Sequence, residues 1–340
     1  MKKLMLIAAA CVALASCVKN EVEPFVNESP ISFQAVQGLQ HTRATYATDV
    51  PFAASAFLLD VSSPANENWE DNGNTEAVEP YFLLQEVAYV DSQWTTAAPY
   101  YWPIQDKLVF FAHSPATVAA SIDAISKAYT FEDYDVDAVK NQDFMVANVT
   151  DAINYAKSDN KVPVKFNHKL TKIGFKVKTS DGYPTNKTIA VNKIVITGLA
   201  NKGTLTLNYK GAAATAIGWT GQTTTTPGKE YTYFSGSKAI SGETAIDKDA
   251  SAQEIFLPQD FGSNADAKVI VDYTITTNID GAISTEAVTG IEVQLKNGTP
   301  TAWEMNKHIT YVITVAPGKQ IIWAQPTIED WDPASGALSI

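Results

Sequence analysis

Apolar and polar residues alternate along most of this chain, with a two-residue period that suits strands lying on one buried face. The pattern predicts strands over 52–61, 81–90, 107–113 and 143–149. A second group is predicted over 162–166, 171–178, 188–197, 203–209, 268–277, 290–295 and 309–315. Pro, Gly and Asn punctuate these runs, as in Asn72-Gly73, and a Thr/Gly-rich connection fills 221–229. One stretch departs from the pattern. Val118, Ile122, Ile125 and Tyr129 recur at helical spacing after Ser114-Pro115 and predict a helix there. Many short strands and at most short helices point to an all-β chain of two β-sandwich domains. The polar, aperiodic stretch 151–160 marks the expected junction, giving domains 44–160 and 161–340.

Both ends add an alternating segment. Ile31, Phe33 and Ala35 alternate with Ser32 and Gln34, predicting a short strand. Gly38 and the polar Gln40-His41-Thr42-Arg43 follow it, an accessible loop of the kind that proteases prefer. Near the other end, Ala334, Gly336, Leu338 and Ile340 alternate with Ser335, Ala337 and Ser339. That pattern predicts a terminal strand with two open destinations: a sheet of its own domain, or a partner molecule.

The first residues read as an export signal. Lys2 and Lys3 precede an apolar run over 4–15, too short to cross a bilayer core of about 30 Å as a helix. Leu14-Ala15-Ser16-Cys17 resembles a bacterial lipobox, so 1–16 is the expected signal peptide and Cys17 the acylated residue. Residues 17–43 then form a lipidated propeptide. Arg43 is the only arginine in the chain. An arginine-specific protease therefore has one bond to cut, Arg43–Ala44, and the cut detaches a strand. Cys11 falls in the signal and Cys17 carries lipid, so no disulfide is expected. At 45% hydrophobic residues the chain can instead be held by its core.

A net charge of −12 without a basic run disfavours nucleic acid, whose phosphates require clustered Lys or Arg. His41, His113, His168 and His308 show no metal-ligand spacing, and no metal or cofactor is expected. The oxygen-rich Asp71–Glu76 stretch misses the calcium-loop register. Glu132, Asp133, Asp135 and Asp137 read as a solvated edge rather than a carboxylate pair for catalysis. No nucleophile-elbow or phosphate-loop sequence is present, so no catalytic residue is expected. Trp94, Tyr100, Tyr101 and Trp102 suit either a sugar-stacking platform or a core, with core favoured by the motif around Trp102.

Several passages carry a resemblance to a family. They are Tyr101-Trp102-Pro103 with Leu108 to Pro115, Asn141 to Ala147, Val164 to Leu170 running into Ile173-Gly174-Phe175, and Trp303 with Tyr311 to Val315, Ile321 and Trp331. Together with the lipobox and the downstream arginine, they resemble the fimbrillins, fimbrial subunit lipoproteins of Bacteroidales that include the Mfa-like group. The resemblance implies a structural, non-enzymatic subunit carried to the outer membrane by lipid (palmitate) on Cys17. It implies cleavage after Arg43 by a trypsin-like or gingipain-like protease, which removes the strand of Ile31, Phe33 and Ala35. It further implies a transthyretin-like N-terminal sandwich whose opened groove receives the C-terminal strand, Ala334 to Ile340, of another subunit. Repetition would build a homopolymeric or mixed pilus that supports adhesion. The alternative is a monomeric surface lipoprotein that binds glycans.

Overall fold

The computed structural model describes residues 30–37, 44–59, 80–103, 107–123, 128–153, 161–208, 216–262, 264 and 266–331. The first strands are β1 (Ser32–Gln37), β2 (Ala44–Thr45), β3 (Phe52–Leu59), β4 (Pro80–Val90), β5 (Gln93–Thr96) and β6 (Lys107–Ser114). Next come β7 (Ser121–Asp123), β8 (Ala128–Asp135), β9 (Met145–Ile153), β10 (Lys161–His168) and β11 (Thr171–Thr179). β12 (Lys187–Thr197), β13 (Lys202–Asn208), β14 (Ala216–Thr223), β15 (Glu230–Ala239) and β16 (Thr244–Ile246) follow. The last are β17 (Ile255–Phe256), β18 (Lys268–Ile279), β19 (Ala282–Gln294), β20 (Lys307–Ala316) and β21 (Gln320–Asp330). A 3₁₀ turn at Leu295–Asn297 is the only helical element among the described residues. The all-β expectation therefore holds.

The N-terminal sheet runs β10-β9-β6-β3-β4-β5-β1 and returns from β1 to β10, closing a seven-stranded barrel. Its interior is largely aromatic, with Phe33, Phe52, Trp94, Trp102, Phe110 and Phe166 in one cluster. The unbroken apolar run Leu108-Val109-Phe110-Phe111-Ala112 has a physical reason: β6 is buried on both faces. Leu108, Phe110 and Ala112 face the barrel interior. Val109 and Phe111 face outward into a second cluster with Tyr129, Phe131, Leu205 and Leu207. That outer cluster lies under a four-stranded sheet, β14-β13-β8-β7. A third core, which includes Phe175, Ile194, Val269, Tyr311 and Ile313, is shared by the sheets β16-β11-β20-β21 and β15-β12-β18-β19.

Two sheets span residue 160. β10 is a barrel strand, and β13 pairs with β8. Side chains reinforce this lacing. Asn141 donates to the Ala252 carbonyl at 2.7 Å and accepts from the Glu254 amide at 2.8 Å. The predicted helix over 118–129 is overturned. Ile122 pairs with Tyr129 across an antiparallel β7–β8 hairpin, and Val118 and Ile122 pack on the cluster that holds Tyr129. Ile125 lies outside the described residues. The apolar spacing served two strands on one surface rather than one helix face.

Candidate functional site

β1 is the strand that closes the barrel. Ile31, Phe33 and Ala35 turn inward and are buried, while Gln34 between them is exposed, as alternation along a strand requires. The Phe33 ring meets Phe52 and Phe110 edge-to-face, with centroids 5.7 and 5.9 Å apart. β1 runs parallel to β10, with Ser32 opposite Lys161 through to Gln37 opposite Phe166. On its other side it meets β5 at Phe33–Trp94, and the Ile31 amide donates to the Tyr100 carbonyl at 2.7 Å. Removing this strand would take three side chains from the core and bare main-chain edges on both neighbours, a template for another strand.

The segment that follows pairs with β1 at first and gains an anchor of its own at Tyr46. Gln37 and Val36 pair with Ala44 and Thr45, so the two ends of the 38–43 connection lie side by side. Tyr46 is buried and stacks on Phe166 at 4.9 Å. Its hydroxyl shares a hydrogen bond with Ser114, and burial raises its pKa well above the usual phenol range. Arg43 itself lies outside the described residues, as does Cys17; Ala44 is the first residue of β2.

At the other end of the chain, Trp331 follows β21 and stacks flat on His168, the last residue of β10, with ring centres 4.3 Å apart and planes 8° apart. His168 Nδ1 lies 2.8 Å from an Asp143 carboxylate oxygen. Ala334, Gly336, Leu338 and Ile340 lie outside the described residues. Trp331, the last described residue, is thus held against a barrel strand that borders β1.

The other candidate chemistries resolve into packing. His113 is buried between the Tyr129 hydroxyl and the Val118 carbonyl, and burial lowers its pKa to about 4. Burial and nearby Lys172 also lower the pKa of His308. His41 and the 71–76 loop lie outside the described residues. Among the described residues, no group of three or more His, Cys, Asp or Glu could hold a metal. The acidic cluster divides. Glu132 and Asp133 are exposed, as a solvated edge requires. Asp137 is instead largely buried and held beside Asp135, whose Oδ1 accepts from the Asp137 amide at 2.9 Å, with the Asn201 side-chain amide donating to both carboxylates. Asp133 pairs with Lys202 at 3.3 Å. Asp137 pairs with Lys229 at 2.6 Å and accepts from the Tyr231 hydroxyl at 3.1 Å. Trp94 and Trp102 are buried in the barrel, as the core reading expects. Sequence reading missed the walls of the β1 site. Val162, Val164 and Phe166 alternate with Lys161, Pro163 and Lys165, a signal that marked a strand but not its neighbour.

No curated protein sequence matches this chain. A crystal structure of a fimbrial protein from Bacteroides vulgatus has a similar fold, with a TM-score of 0.60 at 18% identity, over 88% of this chain and 99% of that one. The fimbrial anchor protein Mfa2 from Porphyromonas gingivalis aligns over 89% of this chain and 98% of its own at 12% identity. Its TM-score of 0.28 adds nothing to the fold argument. A family profile described as Fimbrillin-like matches residues 42–331. That match spans every barrel strand except β1 and all of the C-terminal sheets, and the chain belongs to the fimbrillin-like, or Mfa-like, family of fimbrial surface proteins.

Proposed function

We propose that the chain is a structural subunit of surface fimbriae, exported as a lipoprotein on Cys17 and activated by cleavage between Arg43 and Ala44. In this reading β1 is a temporary occupant of the barrel. Its loss converts a closed barrel into an open, sandwich-like shell, the transthyretin-like form that the family implies for the N-terminal domain, with β10 included in it. The C-terminal segment of another subunit then fills the opening, with 161–340 as the body that carries the donor. Donor and groove are different surfaces, so the contact is heterologous and propagates as a filament.

One observation carries this reading: β1 supplies buried core side chains, yet just past the connection Tyr46 is rooted in the barrel independently of β1, against Phe166 and Ser114. A cut in the connection would free the strand and leave the remainder rooted. Each buried apolar side chain regained from a donor is worth roughly 1.5–3 kcal/mol, enough in aggregate to favour a durable fibre. Glycan capture has less support, because both tryptophans that would form its platform are buried. The test is treatment of purified precursor with an arginine-specific protease. Cleavage after Arg43 followed by SDS-resistant ladders supports the reading; a cleaved chain that stays monomeric with partner subunits supplied sinks it.

A further inference from the structure

The interior of the β1 site is graded in size. Along β1 the inward residues run Ile31, Phe33, Ala35: large, large, small. The C-terminal segment carries its alternate residues in the opposite order, with Gly336 before Leu338 and Ile340. Resting on the strand-exchange reading above, we propose that residues 334–340 of a second copy of this chain fill the site in the direction opposite to β1, antiparallel to β10. Ile340 then takes the place of Ile31, Leu338 that of Phe33, and Gly336 that of Ala35.

Three physical arguments converge on this direction. The first is volume. Run the same way as β1 with Leu338 at the Phe33 position, the segment would press Ile340 into a place shaped for a methyl group. It would also leave Gly336 where an isoleucine side chain had been. Overpacking and voids both weaken a close-packed core. Reversal matches each place to a side chain of similar or smaller size.

The second argument is pairing. β1 lies parallel to β10 along its whole length and meets β5 antiparallel at a single bridge, Phe33–Trp94. Parallel ladders are slightly less stable per residue than antiparallel ones. A reversed strand turns the six-residue ladder with β10 antiparallel. It gives up the Phe33–Trp94 bridge, the Ile31–Tyr100 hydrogen bond and the two-residue antiparallel pairing with β2, which together are shorter than the ladder it improves.

The third is where the ladder stops. With Ile340 at the Ile31 position, Ala334 falls at the Gln37 position, and Pro333 falls one place beyond β1. Proline has no amide hydrogen to give a ladder, and this register asks none of it.

The register predicts specific neighbours. Phe33 lies opposite Val162, Gln34 opposite Pro163, and Val36 opposite Lys165. In the reversed arrangement Ser335 lies opposite Lys165. In the same-direction arrangement Ala337 would lie opposite Lys161. Lys161 and Lys165 alternate with the buried residues of β10 and so face outward. The chain from Ala44 onward contains no cysteine, which makes introduced pairs unambiguous.

The experiment mixes Arg43-cleaved chains carrying Lys165→Cys with cleaved chains carrying Ser335→Cys and oxidises the polymer. A covalent dimer on denaturing gels is expected. The pair Lys161→Cys and Ala337→Cys should give little. The opposite preference overturns the proposal. Polymers that cross-link through neither pair also overturn it, while leaving strand exchange standing. Cleaved chains that form no polymer overturn it too, and if they stay monomeric with partner subunits supplied they overturn strand exchange as well.

Discussion

Phe33 is 3% exposed and sits between two aromatic rings, so truncating it removes a ring from a packed core. Phe33→Ala should destabilise the uncleaved chain by about 3–5 kcal/mol, read by urea unfolding. After cleavage at Arg43 the same substitution should have no effect, because residue 33 leaves with the propeptide. A deficit that survives cleavage would show that β1 stays. His113 gives a pH signature. Its folded pKa of about 4 lies below the ordinary value of 6.5 because burial disfavours the imidazolium. The unfolded chain therefore takes up a proton first. Stability is fully present above pH 6.5 and falls as pH drops toward 4, by up to about 3 kcal/mol. His113→Gln should flatten that slope in unfolding midpoints taken between pH 7 and 4; an unchanged slope would clear His113 of the effect.

Among elements, the turn after β12 depends on Gly198. Its φ of +76° suits glycine, and an added Cβ would lie 2.1 Å from the Asp266 carbonyl oxygen, which is backbone and cannot swing away. Gly182 has a similar φ of +71° but nothing within 4 Å. Gly182→Ala should therefore cost about 1–2 kcal/mol, the conformational penalty alone. Gly198→Ala should cost several times more or yield no folded protein, as judged by denaturation midpoints and recovery of soluble chain. Equal effects would remove the close approach from the account. Most strands were legible because alternation reports one-sided burial: 171–178 and 309–315 became β11 and β20. β19 was only partly legible, since most of its residues face solvent and lend it no apolar period. β14 reached into a stretch expected to be a connection, 221–229. The β7–β8 hairpin imitated a helix because its apolar residues line one surface. The inward face of β1 could be read from Ile31, Phe33 and Ala35, but not its partner. β1 pairs with β10 at the seam that closes the barrel, and no local pattern announces a pairing so remote in sequence.

For the whole molecule, Arg43→Ala should leave a lipid-anchored precursor that never enters fibres, visible as a single band after protease treatment. Normal fibres from that variant would remove the arginine from the argument. On the strand-exchange proposal, a cleaved chain lacking residues 334–340 would keep the groove and lack the donor. Added to intact cleaved chains, it should shorten SDS-resistant ladders in proportion to its share; unaltered ladders would place the donor elsewhere. The sheet formed by β8 and β13 bears on a further property. Four strands, β9 to β12, intervene between these partners in sequence, yet the two pair side by side. Neither half can unravel under tension without tearing a sheet that belongs equally to the other. A single subunit stretched from its ends should therefore yield in one rupture, and two well-separated force peaks would show that the halves give way independently. A filament of such subunits would resist drag as a string of indivisible links, with no weak hinge inside each bead.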